Sequence, residues 1–475
     1  MKRRVSPVNA VFENLLNNIP DYKEFLTLEE LDASSKALAE KYPDVVSIFE
    51  MGRTKDNHPL LCLKIGNGSK NALMFGCPHP NEPIGTMMLE YFTENLAKNK
   101  ELRDELDYTW YVVKAWDADG LRLNEKWLKG PYTIYNYSRN FFRPAGHRQV
   151  DWTFPVDYKG LHFHDTIPEA EAMMALIDEV KPTFIYSLHN AGFGGVYWYM
   201  SGQLPGLYDQ MYAAANKVEV PLNLGEPEAP YCVAFAPAIY QSLGIEQEYD
   251  YMEKYAPEGT DIGAMFKVGN NSESFARTRH GSFTLLTELP YFFDKRIMDL
   301  SEGTMLRKDA VLQSLATSEE SNKYILETME ISKQYFQPLN PFWLALEAFT
   351  KERSNEATRN MVNTDPEFAK TATVAEEFDN ILMSRFYKSL SYGMLIRVNE
   401  YELEEMERNG EVNPEKKAAL EKARDIAIVH HKELTDKLEA EIDYEVVPIR
   451  KLVSIQLECG LLVGKYLHDN KVELK

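Results

Sequence analysis

Apolar positions recur along this chain with two periods, and the change between them divides it. The runs VVSIFEMG (45–52), PLLCLKIG (59–66), NALMFGC (71–77) and YTWYVVKAW (108–116) are separated by Gly, Asn, Asp and Pro. Short runs rich in β-branched and aromatic residues, bounded by turn formers, predict strands. Apolar residues at helical spacing predict a helix over LEELDASSKALAEKY, opened by a capping box of Thr27 with Glu30. A second helix is expected over PIGTMMLEYFTENLAK with Pro83 at its first position, and a third over TIPEAEAMMALIDEVKP with Thr166 and Glu169 as its capping box. TFIYSL (183–188) and SFTLLTEL (282–289) read as buried strands, and 117–165 as a long aromatic loop. This alternation predicts an α/β fold, a mixed central sheet with helices on both faces.

Past residue 300 the strand period disappears, and helices are expected over 305–336, 366–409, 414–440 and 444–468. QPLNPF (337–342) interrupts them, Gly410 ends one helix, and Asn413-Pro414 starts the next. The expected organisation is a catalytic-type domain over 1–337 and a C-terminal all-α helical bundle over 338–475, the bundle mediating a homodimer.

Composition narrows the partners. The 475 residues carry a formal charge of −21, which opposes binding to nucleic acid or anionic membranes. Cys62, Cys77, Cys232 and Cys459 stand at unrelated spacings, which suits a reducing compartment and argues against both a disulfide framework and a cysteine zinc site. The start, MKRRVSPVNAVFENLLNN, lacks the apolar core of a secretory signal, and VSIQLECGLLVGKYL is broken by Glu458 and Lys465. A soluble cytoplasmic protein is expected.

Candidate chemistry begins at GCPHPNEPIGT (76–86), where His79 and Glu82 form an H-x-x-E pair. The same spacing recurs at His430 and Glu433 in what reads as a plain helix, so context must decide. His79 and Glu82 follow the strand 71–77, His189 follows 183–188, and Glu288 closes 282–289. Open α/β sheets bind ligands at the carboxyl ends of their strands. Two histidines with one glutamate form a catalytic zinc set that leaves a position for water, and a separate carboxylate is then needed to move protons. His79, Glu82 and His189 are therefore the expected ligands of one Zn2+, and Glu288 the general base. HFHD (162–165) is a rival cluster: His162 and His164 share a face only if this segment is extended.

In order along the chain, EMGRTKDNHPL (50–60), PHPNE, WDADG (116–120), NYSRNFF (136–142), SLHN (187–190) and FTLLTEL (283–289) resemble the segments of the zinc carboxypeptidases of the carboxypeptidase A type, the M14 peptidases. The resemblance covers roughly residues 24–337. It implies that Arg139 grips the substrate's terminal carboxylate, beside Ser138 where the family uses Asn. It places Asn136 where an Asp would orient the first zinc histidine, and Leu128, between Lys126 and Lys129, near a family arginine that stabilises the oxyanion. Phe266 falls where a mobile tyrosine is usual. Glu273 falls at the position that tunes the specificity pocket, favouring a basic group.

The expected function is a zinc metallocarboxypeptidase that hydrolyses a C-terminal amide bond of peptides through a metal-activated water. GFGGVYWYM (192–200), directly after His189, is a candidate pocket wall or, equally, part of the core. One alternative is a zinc-dependent deacylase of N-acyl amino acids, because HPNEPIGT also looks like the ligand loop of aspartoacylase-like enzymes. The other is a non-catalytic metal-binding assembly protein.

Overall fold

The computed structural model describes residues 10–351 and 355–472; the first nine residues of the leader segment read above lie outside them. The apolar runs pair into one nine-stranded sheet: β1 Val46–Arg53, β2 Pro59–Ile65, β3 Lys70–Gly76, β4 Tyr108–Val113, β5 Phe184–Leu188, β6 Tyr197–Met200, β7 Ala234–Ala236, β8 Ile239–Gln241 and β9 Phe283–Glu288. Their order is β1-β2-β4-β3-β5-β9-β6-β8-β7. The four central strands β4, β3, β5 and β9 are mutually parallel, and β6 runs antiparallel to β9, so the sheet is mixed. The central strands are buried on both faces, as their continuous apolar runs require.

One face packs on Pro168–Val180 and Ser272–His280 through Met173, Ile177 and Ala276. The other packs on Ile84–Lys98 and on Ile449–Asp469, the last helix of the chain. Tyr186 of β5 donates to the carbonyl of Gln456 (2.8 Å), and Tyr108 of β4 to that of Gly464 (2.9 Å). The last helix is therefore a layer of the sheet domain, and the largest apolar cluster draws on residues from Phe12 to Leu467. The period change marks a switch to helices, but the core does not divide there.

Other expectations shift in detail. The Thr27–Glu30 capping box is formed, whereas the helix at 168 starts from Ile167 without a side-chain cap, and Glu169 accepts instead from the Lys55 amide (2.9 Å). The stretch 117–165 holds helices Ala118–Leu128 and Ile134–Asn140 and a hairpin, Val156–Tyr158 with Leu161–Phe163. The helical region also contributes two short strands, Thr371–Thr373 against Glu302–Leu306 and Glu445–Val446 against Pro290–Phe293. Its helix Ser384–Arg408 is preceded by a π turn, Asp379–Met383. Among the described residues, no helix is long and apolar enough to cross a membrane.

Candidate metal centre

His79 and Glu82 lie in the buried turn after β3, closed by a hydrogen bond from the Glu82 amide to the His79 carbonyl (3.1 Å). The turn is seated against β5 because Gly85 opens the next helix: a Cβ there would lie 2.5 Å from that of Leu188. His189 follows β5, and Gln456 of the last helix donates to its carbonyl (3.3 Å). Asn190 ties the two loops together, accepting from the Ile84 amide (3.1 Å) while its own amide donates to Glu82 Oε2 (3.2 Å). Tyr291 bonds both loops through the Asn81 carbonyl and Asn190 Oδ1 (3.0 and 2.7 Å).

The result is a convergence of donor atoms. His79 Nδ1 lies 3.0 Å from Glu82 Oε1, and His189 Nδ1 lies 3.0 Å from Glu82 Oε2. The ligand atoms of the three residues lie within 4.8 Å of one another, the one such group among the described residues. With His189 Nε2 on the Ser187 hydroxyl (2.8 Å), its Nδ1 faces the carboxylate without hydrogen-bond geometry. Two imidazoles and a carboxylate whose ligand atoms converge in a buried site, with ring nitrogens His79 Nε2 and His189 Nδ1 lacking hydrogen-bond partners among the described residues, fit a zinc-type ion. Burial, reinforced by Arg143, pushes His79 down to about 3, leaving it neutral, as a ligand must be. Burial alone would raise the Glu82 carboxyl, but His79 and His189 hold it well below the usual range.

Glu288, at the end of β9, is 3.6 Å from His189 Nδ1, and its Oε2 is buried without a hydrogen-bond partner. Burial, then the neighbouring Glu82, pushes its carboxyl well up. Tyr197 is its cross-strand partner on β6.

These residues open into a cavity of about 510 Å³, also lined by Gly192, Phe193, Tyr197 and Tyr199 of the candidate wall. Val196, Trp198 and Met200 of the same stretch turn into the core. The helical region supplies another wall through Asp379 and Met383 of the π turn, with Tyr387 and Leu390. Tyr387 donates to the carbonyls of Ala191 and Phe193, just beyond His189.

The residues expected to bind substrate are dispersed. Glu273 lines the cavity but is engaged by Arg277 (3.0 Å) and the Ser274 hydroxyl (3.2 Å). Arg139 does not line it: in the last turn of Ile134–Asn140 its guanidinium pairs with Glu400 (2.5 Å) of the helical region. Ser138 is fully buried against His431 (2.8 Å) on the same side. Phe266 stacks on Tyr249 in a separate cluster. Asn136 bonds the Pro131 carbonyl and Asn140 rather than His79, whose Nε2 has no hydrogen-bond partner among the described residues. Lys126 and Lys129 pair with Glu404 and with Glu24 and Glu30, outside the cavity.

Sequence reasoning missed Arg143, four residues after Arg139 and, among the described residues, the one basic side chain besides histidine that lines the cavity. It donates to Glu82 Oε1 (3.2 Å) and to Gln149 Oε1 (3.4 Å). Asp151 was missed as well; it lines the cavity, and burial pushes it up to about 6.

The family model for zinc carboxypeptidase, Peptidase_M14, matches residues 31–296, more than half of the chain. The chain belongs to the M14 zinc carboxypeptidase family. Mast cell carboxypeptidase A of Mus musculus is 28% identical over 127 residues, 25% of this chain and 30% of the relative. Zinc carboxypeptidase A 1 of Anopheles gambiae is 28% identical over 120 residues, 23% and 27% of the two chains. The matched segment thus spans less than a third of these curated relatives. Among solved structures, carboxypeptidase A of Helicoverpa armigera matches with TM-score 0.34 and 14% identity over 59% of this chain and 71% of that one. A metallo-carboxypeptidase of Burkholderia cenocepacia matches with TM-score 0.32 and 15% identity over 55% and 59%.

In this M14 chain the WDADG segment is structural. Asp117 caps Ala118–Leu128 through the Gly120 amide (2.9 Å), and Asp119 accepts from Thr54 (2.9 Å) in the loop between β1 and β2. Burial pushes Asp117 up to about 7, and its Oδ2 has no hydrogen-bond partner. The unfolded chain releases this proton near pH 4 and the folded chain only near pH 7, so the residue costs stability as pH rises through that window. Asp117→Asn keeps the capping oxygen and removes the charge. Urea unfolding should show the variant gaining on wild type between pH 5 and pH 8, by roughly 1–3 kcal/mol at the upper end. A pH-independent difference would contradict this assignment.

Proposed function

We propose that this protein is a zinc-dependent metallocarboxypeptidase that releases the C-terminal residue of a short peptide. The observation that carries the reading is the convergence of His79, Glu82 and His189 beside the orphaned carboxylate of Glu288 at the strand ends. A zinc ion held by these three residues would supply Lewis acidity and an acidified water. Glu288, a carboxyl whose affinity for protons is raised by burial, is placed to accept a proton from a water in the cavity and to return it to a leaving nitrogen. Ser187 fixes the ring of His189, and Asn190 holds Glu82 in place.

Arg143 replaces Arg139 as the residue that holds the substrate's carboxylate. Of the other carboxyls on the walls, Glu226 and Glu273 are paired with Arg307 and Arg277, whereas Glu228 has no basic partner among the described residues and favours a cationic group elsewhere on the substrate. Walling by the helical region limits substrate length. That same closure also favours a second reading, a deacylase of N-acyl amino acids, whose substrates fit about 510 Å³.

Mass spectrometry of products from mixed peptides and N-acyl amino acids separates the two readings. Loss of single C-terminal residues is expected; release of acyl groups alone would move the assignment to the deacylase. Arg143→Gln should raise KM for free-acid peptides by about 10–100-fold, the worth of a charge-assisted hydrogen bond. C-terminally amidated peptides should be equally poor substrates of both forms. An equal loss on both substrate types would assign Arg143 to the reacting carbonyl instead.

A further inference from the structure

Sheet order separates the charged groups of the cavity. Crossing from β3 through β5 and β9 to β6 meets His79 and Glu82 first, then His189, then Glu288, and last Tyr197 and Tyr199. Arg143 belongs to the β3 side, where it donates to Glu82 Oε1 (3.2 Å). Glu228 belongs to the β6 side, where the Tyr199 hydroxyl donates to its Oε2 (2.9 Å). Tyr197 pairs with Glu288 and Tyr199 with Leu286, and alternation turns all four toward the same cavity. A cation and an anion therefore stand on opposite flanks of the metal ligands and Glu288.

The segment that carries Glu228 is fixed in place. The Glu226 amide donates to Asp379 Oδ2 in the π turn (2.8 Å), and Arg307 grips the Glu226 carboxylate with two nitrogens (2.8 and 2.5 Å). Gly225 permits that approach, since a Cβ there would lie 2.6 Å from Asp379 Oδ2. These contacts neutralise Glu226 and hold the backbone two residues from Glu228. Among the described residues no Lys, Arg or His pairs with Glu228 itself, which is exposed at the cavity edge in a wall shared with Tyr197, Tyr199 and Tyr387. A positioned carboxylate without a counter-ion, set among phenol rings, suits an incoming cation.

Spacing sets the class of that cation. Neighbouring strands lie about 4.8 Å apart, so β6 is about 14 Å from β3. The side chains of Arg143 and Glu228 both reach into the cavity and shorten the span. At about 3.5 Å per residue, an extended peptide of two or three residues bridges what is left, with a carboxylate at one end and an ammonium at the other. Glu288 lies between the two anchors, so the Glu228 end receives the part of the substrate before the cleaved bond. We propose that Glu228 binds the amino-terminal ammonium of a di- or tripeptide. This rests on the metallocarboxypeptidase reading, with Arg143 on the terminal carboxylate, and it narrows the substrates to short peptides charged at both ends.

The test offers Ala-Ala-X tripeptide pools, with free or N-acetylated amino termini, to the full-length protein. Chelator-treated protein reports retention by affinity-selection mass spectrometry, and zinc-supplemented protein reports cleavage. Wild type should retain the free forms about 10–100-fold more tightly than the acetylated ones, and in Glu228→Gln the ratio should fall to near 1. The position is exposed, so the variant should keep the wild-type circular dichroism spectrum. Equal retention of the two forms by wild type, including none of either, or an unchanged ratio in Glu228→Gln, would overturn the proposal. Cleavage is scored separately: release of X without an amine preference keeps the carboxypeptidase reading and rejects this subsite. A Glu228-dependent preference without release of X keeps the subsite and rejects that reading.

Discussion

Glu288→Gln is expected to lower kcat by about 10²–10⁴-fold, the range for removing a positioned proton acceptor. The glutamine keeps the size and planarity of the side chain at the end of β9, so the cavity and the register with Tyr197 persist. It cannot take the water proton or return it to nitrogen. Because the expected ligands are His79, Glu82 and His189, metal bound at the centre should be retained, and KM should change little. Steady-state kinetics with metal analysis of the same preparation checks both halves. His189→Ala is the contrasting case: it removes a ligand, so activity and metal at the centre should disappear together. Near-wild-type turnover by Glu288→Gln would reject Glu288 as the acceptor and direct attention to the other cavity carboxyls whose proton affinity burial raises, Asp151, Glu273 and Asp379.

What the chain reveals before folding depends on how local the physics is. The strand runs are legible because burial on both faces demands uninterrupted apolar residues, and their carboxyl ends then place His79, Glu82, His189 and Glu288 near one another without any structure. Substrate-facing residues are harder, because which side of a short helix faces the cavity depends on what packs behind it. Arg139 follows the family pattern, yet its helix is covered by Ser384–Arg408, and Glu400 draws the guanidinium away. Arg143 lies just past the end of that helix, where no periodicity signals its direction. Asp379 and Met383 reach the cavity through a π turn, which the apolar pattern of a continuous helix conceals. The hairpin at 156–163 was hidden by its length, since three-residue strands are too short for alternation to stand out.

Truncation after residue 337 is expected to abolish folding rather than to release a working catalytic domain. The missing segment contains Ile449–Asp469, which covers one face of the sheet at Phe184 and Tyr186, strands that are buried on both sides only while that helix is present. Met394, Leu395, Val398, Leu452, Val453, Ile455 and Val463 are all at 0% exposure. At roughly 1.5–3 kcal/mol per large apolar side chain, their burial alone rivals the 5–15 kcal/mol by which whole domains are stable. Polar groups would be stranded too: buried Arg397 donates to the carbonyls of Leu123, Asn140 and Phe141, and Ser138 loses His431. The fit between the two parts is close enough to require glycine, since a Cβ on Gly393 would lie 1.8 Å from the Ser138 carbonyl oxygen. Soluble yield and near-ultraviolet circular dichroism of the truncated chain measure the outcome. A soluble product with native-like aromatic signals would mean that residues 1–337 form their own core, and the helical region would then have to act as a detachable lid. Gly393→Ala tests the same interface more gently. It should lower stability by about 1–3 kcal/mol, as overpacking does, while leaving His79, Glu82, His189 and Glu288 untouched.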